Sequence, residues 1–165
     1  MIDEQIYNTA TAQGIPPILA TLIVAQARHE TANYTSNAFR SCNNLFGYKY
    51  VGQNLSTGPC ITSSEGNSYA KYASVADSVK ELTAWIKRRQ AENKFPANLN
   101  SITTPEQYAT LLKNSGYYGA PIREYVNGLI FWLQKLGEVA TSKESSFAIV
   151  VLLAIAVLIW RKRFF

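Results

Sequence analysis

Glu30 is the one carboxylate between Glu4 and Glu65, so carboxylate chemistry in the first third of the chain falls to it. Pro16 and Pro17 suit the first turn of a helix, where a missing N–H costs nothing. Apolar residues then recur at Ile18, Leu22 and Ala25, and again at Leu19, Ile23 and Ala27, which is helical periodicity. Gln26 lies four residues before Glu30, so the two share a face. That puts Glu30 in the last turn, where the negative end of the helix dipole disfavours a second negative charge. Partial burial pushes the same way, toward a pKa useful to a proton donor. The same spacing also fits a solvated glutamate closing an amphipathic helix.

The residues around Glu30 carry a family resemblance. HETANYTSNAF followed by NNLFGYK resembles the catalytic segment of glycoside hydrolase family 73. These are lysozyme-like endo-β-N-acetylglucosaminidases of autolysins, flagellar peptidoglycan hydrolases and phage lytic enzymes. The likeness continues through Tyr72–Ile86 and Ala109–Leu129, so it covers about Ile15 to Leu136. It implies a mainly α, lysozyme-like α+β domain with a small β-hairpin lobe, and Glu30 of the ET motif as general acid. A hairpin in that family often carries a second carboxylate across the cleft. The TSSE segment offers Glu65, although a glutamate in a hairpin turn is also commonly just solvated. A loop tyrosine before the last helix helps shape the family's site, and Tyr117 matches it best; simple packing of Tyr117 and Tyr118 is the alternative. Asn43, Asn44, Phe46, Tyr34 and Tyr118 are expected to contact substrate. Two departures stand out: Ala32 where many relatives have Gly, and Tyr34 where many have Trp. No metal or cofactor is implied.

The elements that position these residues can be read in order. Ile2–Gln13 reads as a first helix, with the turn Gly14–Pro17 leading into the helix of Glu30. Cys60–Thr62 and Ser68–Tyr72, split by Glu65-Gly66-Asn67, read as the hairpin. Ser74-Val75-Ala76-Asp77 is a capping box opening a helix with apolar residues at 75, 79, 82 and 86. Asp77 is thereby a cap and not a catalytic candidate. Thr104–Gln107 caps the next helix, which turns Tyr108, Leu111 and Leu112 inward. After the loop Gly116–Pro121, the residues Ile122, Tyr125, Val126, Leu129, Leu133 and Leu136 draw one apolar face on a last domain helix. Ten tyrosines suit a sugar cleft, since an aromatic face stacks on a pyranose while its hydroxyl bonds the edge.

At 165 residues there is room for one domain, residues 1–136, and one appendage. The net charge is +5, of which Arg161, Lys162 and Arg163 supply three. No basic stripe with interleaved aromatics marks the rest, so nucleic acid is not an expected partner. Cys42 and Cys60 could close one disulfide in an oxidising compartment. His29, the single histidine, leaves no partner for a zinc set or a histidine triad, and a surface or hydrogen-bonding role suits it better than catalysis. MIDEQIYN has no apolar h-region, so no conventional signal peptide is expected. Residues 137–146 read as a polar linker. Phe147–Trp160 is fourteen residues without a polar side chain, followed by RKR and two Phe. With the cations snorkelling, residues 147–165 read as a transmembrane helix in a lipid bilayer, the basic tail cytoplasmic and the enzyme domain on the peptidoglycan side. The function expected is cleavage of the β-1,4 bond after N-acetylglucosamine in peptidoglycan by a membrane-anchored enzyme of a bacteriophage virion. A lytic transglycosylase, or an inactive structural membrane protein of the virion, are the alternatives.

Overall fold

The computed structural model describes residues 1–64 and 66–140. Its helices are α1 (Ile2–Ala12), α2 (Pro17–Glu30), α3 (Asn37–Cys42), α4 (Val75–Ala91), α5 (Pro105–Asn114) and α6 (Ile122–Ala140); its strands are β1 (Ser56–Thr62) and β2 (Ser68–Tyr72). Among the described residues this is a mainly helical fold with one small antiparallel sheet, as the lysozyme-like expectation requires.

α2 is the axis of the molecule. Every residue from Leu19 to Ala27 is buried, because α1, α5 and α6 all pack against it. A helix walled on all sides must be apolar nearly all round, which is why two overlapping apolar registers appear in its sequence. Its last turn, Arg28–Glu30, emerges from the core at its edge. α6 supplies the facing apolar row: Tyr125, Val126, Leu129, Leu133 and Leu136 are buried, whereas Ile122, at the first turn, is exposed. Gly128 sits where α6 crosses α2, and a Cβ there would lie 2.3 Å from the His29 ring. The missing side chain admits that ring.

The caps behave as their chemistry dictates. Ser74 Oγ accepts from the Asp77 N–H at 3.1 Å and donates to the Asp77 carboxylate at 2.7 Å, while Lys80 pairs with the same carboxylate. Thr104 and Gln107 form a complete capping box on α5. β1 begins at Ser56, four residues before the expected strand. Gly58 and Pro59 disguise it, and register irregularities on either side of them accommodate a proline that has no N–H for the ladder. On the other edge of β2, the Tyr50 N–H donates to Ser68 O and the Ala70 N–H to Tyr48 O.

Two features differ from expectation. α3, capped by Ser36, has no counterpart among the elements read from the sequence, since six residues are too few to display a period. α6 continues to Ala140, so residues 137–140 of the expected linker are helical, helped by the Lys135–Glu138 pair at 2.9 Å. No helix among the described residues is long and apolar enough to cross a membrane, and the expected span Phe147–Trp160 lies outside them.

Candidate active site

The loop leaving α2 decides where Glu30 points. Ala32, Asn33 and Tyr34 are three successive residues at positive φ, 47°, 59° and 66°. Such a turn is unfavourable for side chains with a Cβ and needs outside support. Asp3 of α1 provides it. Its carboxylate accepts from Arg28 Nε at 2.9 Å, Arg28 Nη2 at 2.5 Å and the Tyr34 hydroxyl at 2.5 Å. Arg28 Nη1 also donates to Asn33 Oδ1 at 3.0 Å. Tyr34 is therefore an anchor of this turn, with its ring against Phe39, and it does not line the cleft. At Ala32 a glycine would meet φ 47° without strain.

Glu30 opens onto a cleft of about 460 Å³. One wall is the start of α3 (Ser36, Asn37, Ala38); opposite stand Thr62, Ser63 and Ser64 of the hairpin, with Tyr117 and Tyr118 beside them. A disulfide between Cys42 and Cys60, their Cα atoms 6.0 Å apart, ties α3 to β1 and so fixes one wall to the other. A larger hollow, about 570 Å³, lies between Phe95 and Leu111. It is open and mainly apolar, and its carboxylate, Glu106, sits in the first turn of α5, where it complements the helix dipole. Glu30 lies in the smaller cleft.

The Glu30 carboxyl lies deep among protein atoms although the residue keeps an opening to the cleft. Burial raises its pKa from 4.5 to about 7, opposed by a hydrogen bond in which the Tyr125 hydroxyl donates to Oε1 at 2.6 Å. The direction matches the sequence expectation, and desolvation is its main cause. Tyr125 was legible only as one more apolar-face position. The available signal was its hydroxyl, which a buried tyrosine must place somewhere. Tyr118 stacks on Tyr125 with ring centroids 4.0 Å apart, and the His29 ring meets Tyr125 edge-on at 5.1 Å. Burial lowers the pKa of His29, favouring a neutral packing group.

The other expected site residues divide. Phe46, Tyr117 and Tyr118 line the cleft. Tyr117 packs edge-on to Trp85 and Tyr48, and its hydroxyl donates to Phe46 O at 2.7 Å, so its proton already has an acceptor. Asn44 reaches the cleft, but its amide is fully engaged. Its oxygen accepts from the Phe46 and Tyr48 N–H groups, and its nitrogen donates to Tyr48 O and Ala70 O. Asn43 caps α3 at φ 51°, donating to Tyr72 O at 3.0 Å. Both asparagines brace the NNLFG loop against β2. Ser63, not foreseen, lines the cleft with its Oγ buried and without a protein partner. Glu65 lies outside the described residues; Ser63 and Ser64, just before it, line the cleft.

A carboxylic acid whose pKa burial pushes up to about 7 thus stands in a cleft floored by helices and faced by a hairpin. The sequence matches the glucosaminidase family, mannosyl-glycoprotein endo-β-N-acetylglucosaminidase, over residues 4–142. The chain belongs to that family and is a glycosidase. Its fold resembles a chain in the structure of a type VI secretion system effector–immunity complex from Pseudomonas protegens. The TM-score is 0.60 at 17% identity, covering 81% of this chain and 86% of that one. No curated protein matches the chain in sequence.

Proposed function

We propose that the chain cleaves the β-1,4 bond after N-acetylglucosamine in peptidoglycan, with Glu30 as general acid. The carrying observation is the Glu30 carboxyl held at a pKa of about 7 in the cleft. Near neutral pH a large fraction of it is protonated and able to deliver that proton to the glycosidic oxygen as the C1–O bond breaks. Glu65 would activate water or steady the oxocarbenium-like transition state from the hairpin side. Tyr117 shapes the wall by holding the buried Phe46, and Tyr118, half-buried beside it, meets the sugar.

A second reading is a lytic transglycosylase, which needs one carboxylate and forms an anhydro sugar. It is favoured by Glu30 being the sole carboxylate among the described residues lining the cleft. Digesting purified wall, reducing the fragments and identifying their ends separates the two. N-acetylglucosaminitol supports hydrolysis after N-acetylglucosamine, and anhydro ends would replace that reading by the second.

The same proposal places the enzyme at a membrane, anchored by Phe147–Trp160 with Arg161, Lys162 and Arg163 at the interface, and assigns it to a bacteriophage particle. Support comes from the uninterrupted apolar run and its basic flank. The Cys42–Cys60 disulfide agrees with an oxidising, extracytoplasmic side for the catalytic domain.

A further inference from the structure

Beneath Glu30 lies a buried polar group that the mechanism above does not use. Gln26, one turn earlier on the same face of α2, is fully buried. Its Oε1 accepts from the Tyr108 hydroxyl at 2.6 Å, also in the core, while its Nε2 is buried with no hydrogen-bond partner. With the Tyr108 hydroxyl donating to Oε1, Nε2 is the end of the amide turned away from Tyr108. A buried N–H left unpaired is costly, which draws Nε2 toward any acceptor it faces. The Tyr125 hydroxyl, bonded to Glu30 one turn further along the same face, offers such an oxygen. Burial, Glu30 and Tyr108 all disfavour negative charge on Tyr125, whereas Gln26 favours it, the effect of an N–H directed at the phenol oxygen.

We propose that Gln26 is a positioning residue whose amide N–H faces the Tyr125 oxygen, obliges that hydroxyl to donate to Glu30 Oε1, and leaves the acid's proton on Oε2. The inference rests on Glu30 as general acid. Were the proton on Oε1, it and the Gln26 N–H would compete for the Tyr125 oxygen, and the Tyr125 proton would lose its acceptor. In the order Tyr108 to Gln26 to Tyr125 to Glu30, each hydroxyl proton has an acceptor and the buried amide nitrogen faces an oxygen. In the reaction the proton passes from Oε2 to the glycosidic oxygen, which keeps the electron pair of the broken C1–O bond. Glu30 is left as a carboxylate, and the Tyr125 bond then strengthens on the charge that has formed.

The test is steady-state kinetics of the full-length protein on soluble peptidoglycan fragments across pH. Wild type is compared with Glu30→Gln and with the double variant Gln26→Met, Tyr108→Phe, which removes both ends of the buried bond. The double variant should lose about tenfold in kcat with KM nearly unchanged. The alkaline limb of its kcat profile should move to higher pH, because a released Tyr125 can turn and accept from protonated Glu30. A folded double variant with wild-type kcat and an unmoved limb overturns the proposal. So does a lower kcat with the limb unmoved, which marks a purely structural role. If that variant does not fold, Gln26→Asn, one methylene shorter, withdraws the amide and answers by the same two readouts. Activity retained by Glu30→Gln would bring down the general-acid reading itself, whatever Gln26 does.

Discussion

Glu30 couples the stability of the molecule to its chemistry. Its pKa is about 7 in the fold against 4.5 in an exposed chain, so the folded state holds this proton more tightly. The stability it lends is fully present below pH 4.5 and is lost as pH rises to about 7, roughly 2–4 kcal/mol in all. Glu30→Gln removes the titration. Its Tm should match wild type at pH 4.5 and exceed it at pH 8, and equal melting at both values would contradict a buried neutral acid. Glu30 could be found in the sequence because it stands alone among apolar neighbours at the end of a periodic helix. Asp3, Arg28 and Tyr125 could not. Their roles arise from contacts such as Arg28–Asp3 and Tyr125–Glu30, between residues 25 and 95 positions apart, which local pattern does not encode. The bracing bonds of Asn43 and Asn44 were hidden for the related reason that an amide suited to sugar is equally suited to holding a loop.

The elements whose signals are local were legible: α2 from its two apolar registers, α4 and α5 from their caps, α6 from its single apolar face. β1 was read short because Gly58 and Pro59 contradict strand propensity, and α3 was missed because six residues cannot show a period. The contact of α2 with α6 positions the site, since one carries Glu30 and the other Tyr125. Gly128→Ala would drive a methyl group into the His29 ring at that crossing. It should destabilise by about 1–3 kcal/mol and lower activity together with stability, as thermal melts and lysis assays would show. An unchanged Tm would mean the helices separate there freely. The disulfide is the second fixture. Reducing it, or replacing Cys42 and Cys60 by Ser, reopens a loop of 18 residues and should cost about 3 kcal/mol. Because it joins α3 to β1, activity should fall even at temperatures where the helices stay folded by circular dichroism, and full activity under reduction would show that the cleft walls need no tie.

At the scale of the whole molecule, the family match ends at 142, close to the end of α6 and ahead of the apolar run at 147. An apolar anchor and a basic patch hold a protein to a membrane by different forces, and only the second is screened by salt. The full-length protein should remain with membranes through a high-salt wash and leave only with detergent; release by salt alone would remove the anchor from the proposal and leave the glycosidase standing. The central claim is that a buried, protonated Glu30 cuts the glycan. The most direct measurement is the rate at which wild type and Glu30→Gln generate new N-acetylglucosamine reducing ends from purified peptidoglycan at neutral pH, with both proteins shown to be folded. General acid catalysis contributes roughly 10²–10⁴-fold, so the variant should form those ends at less than about a hundredth of the wild-type rate. A folded Glu30→Gln protein that forms them at a rate comparable to wild type would contradict the account.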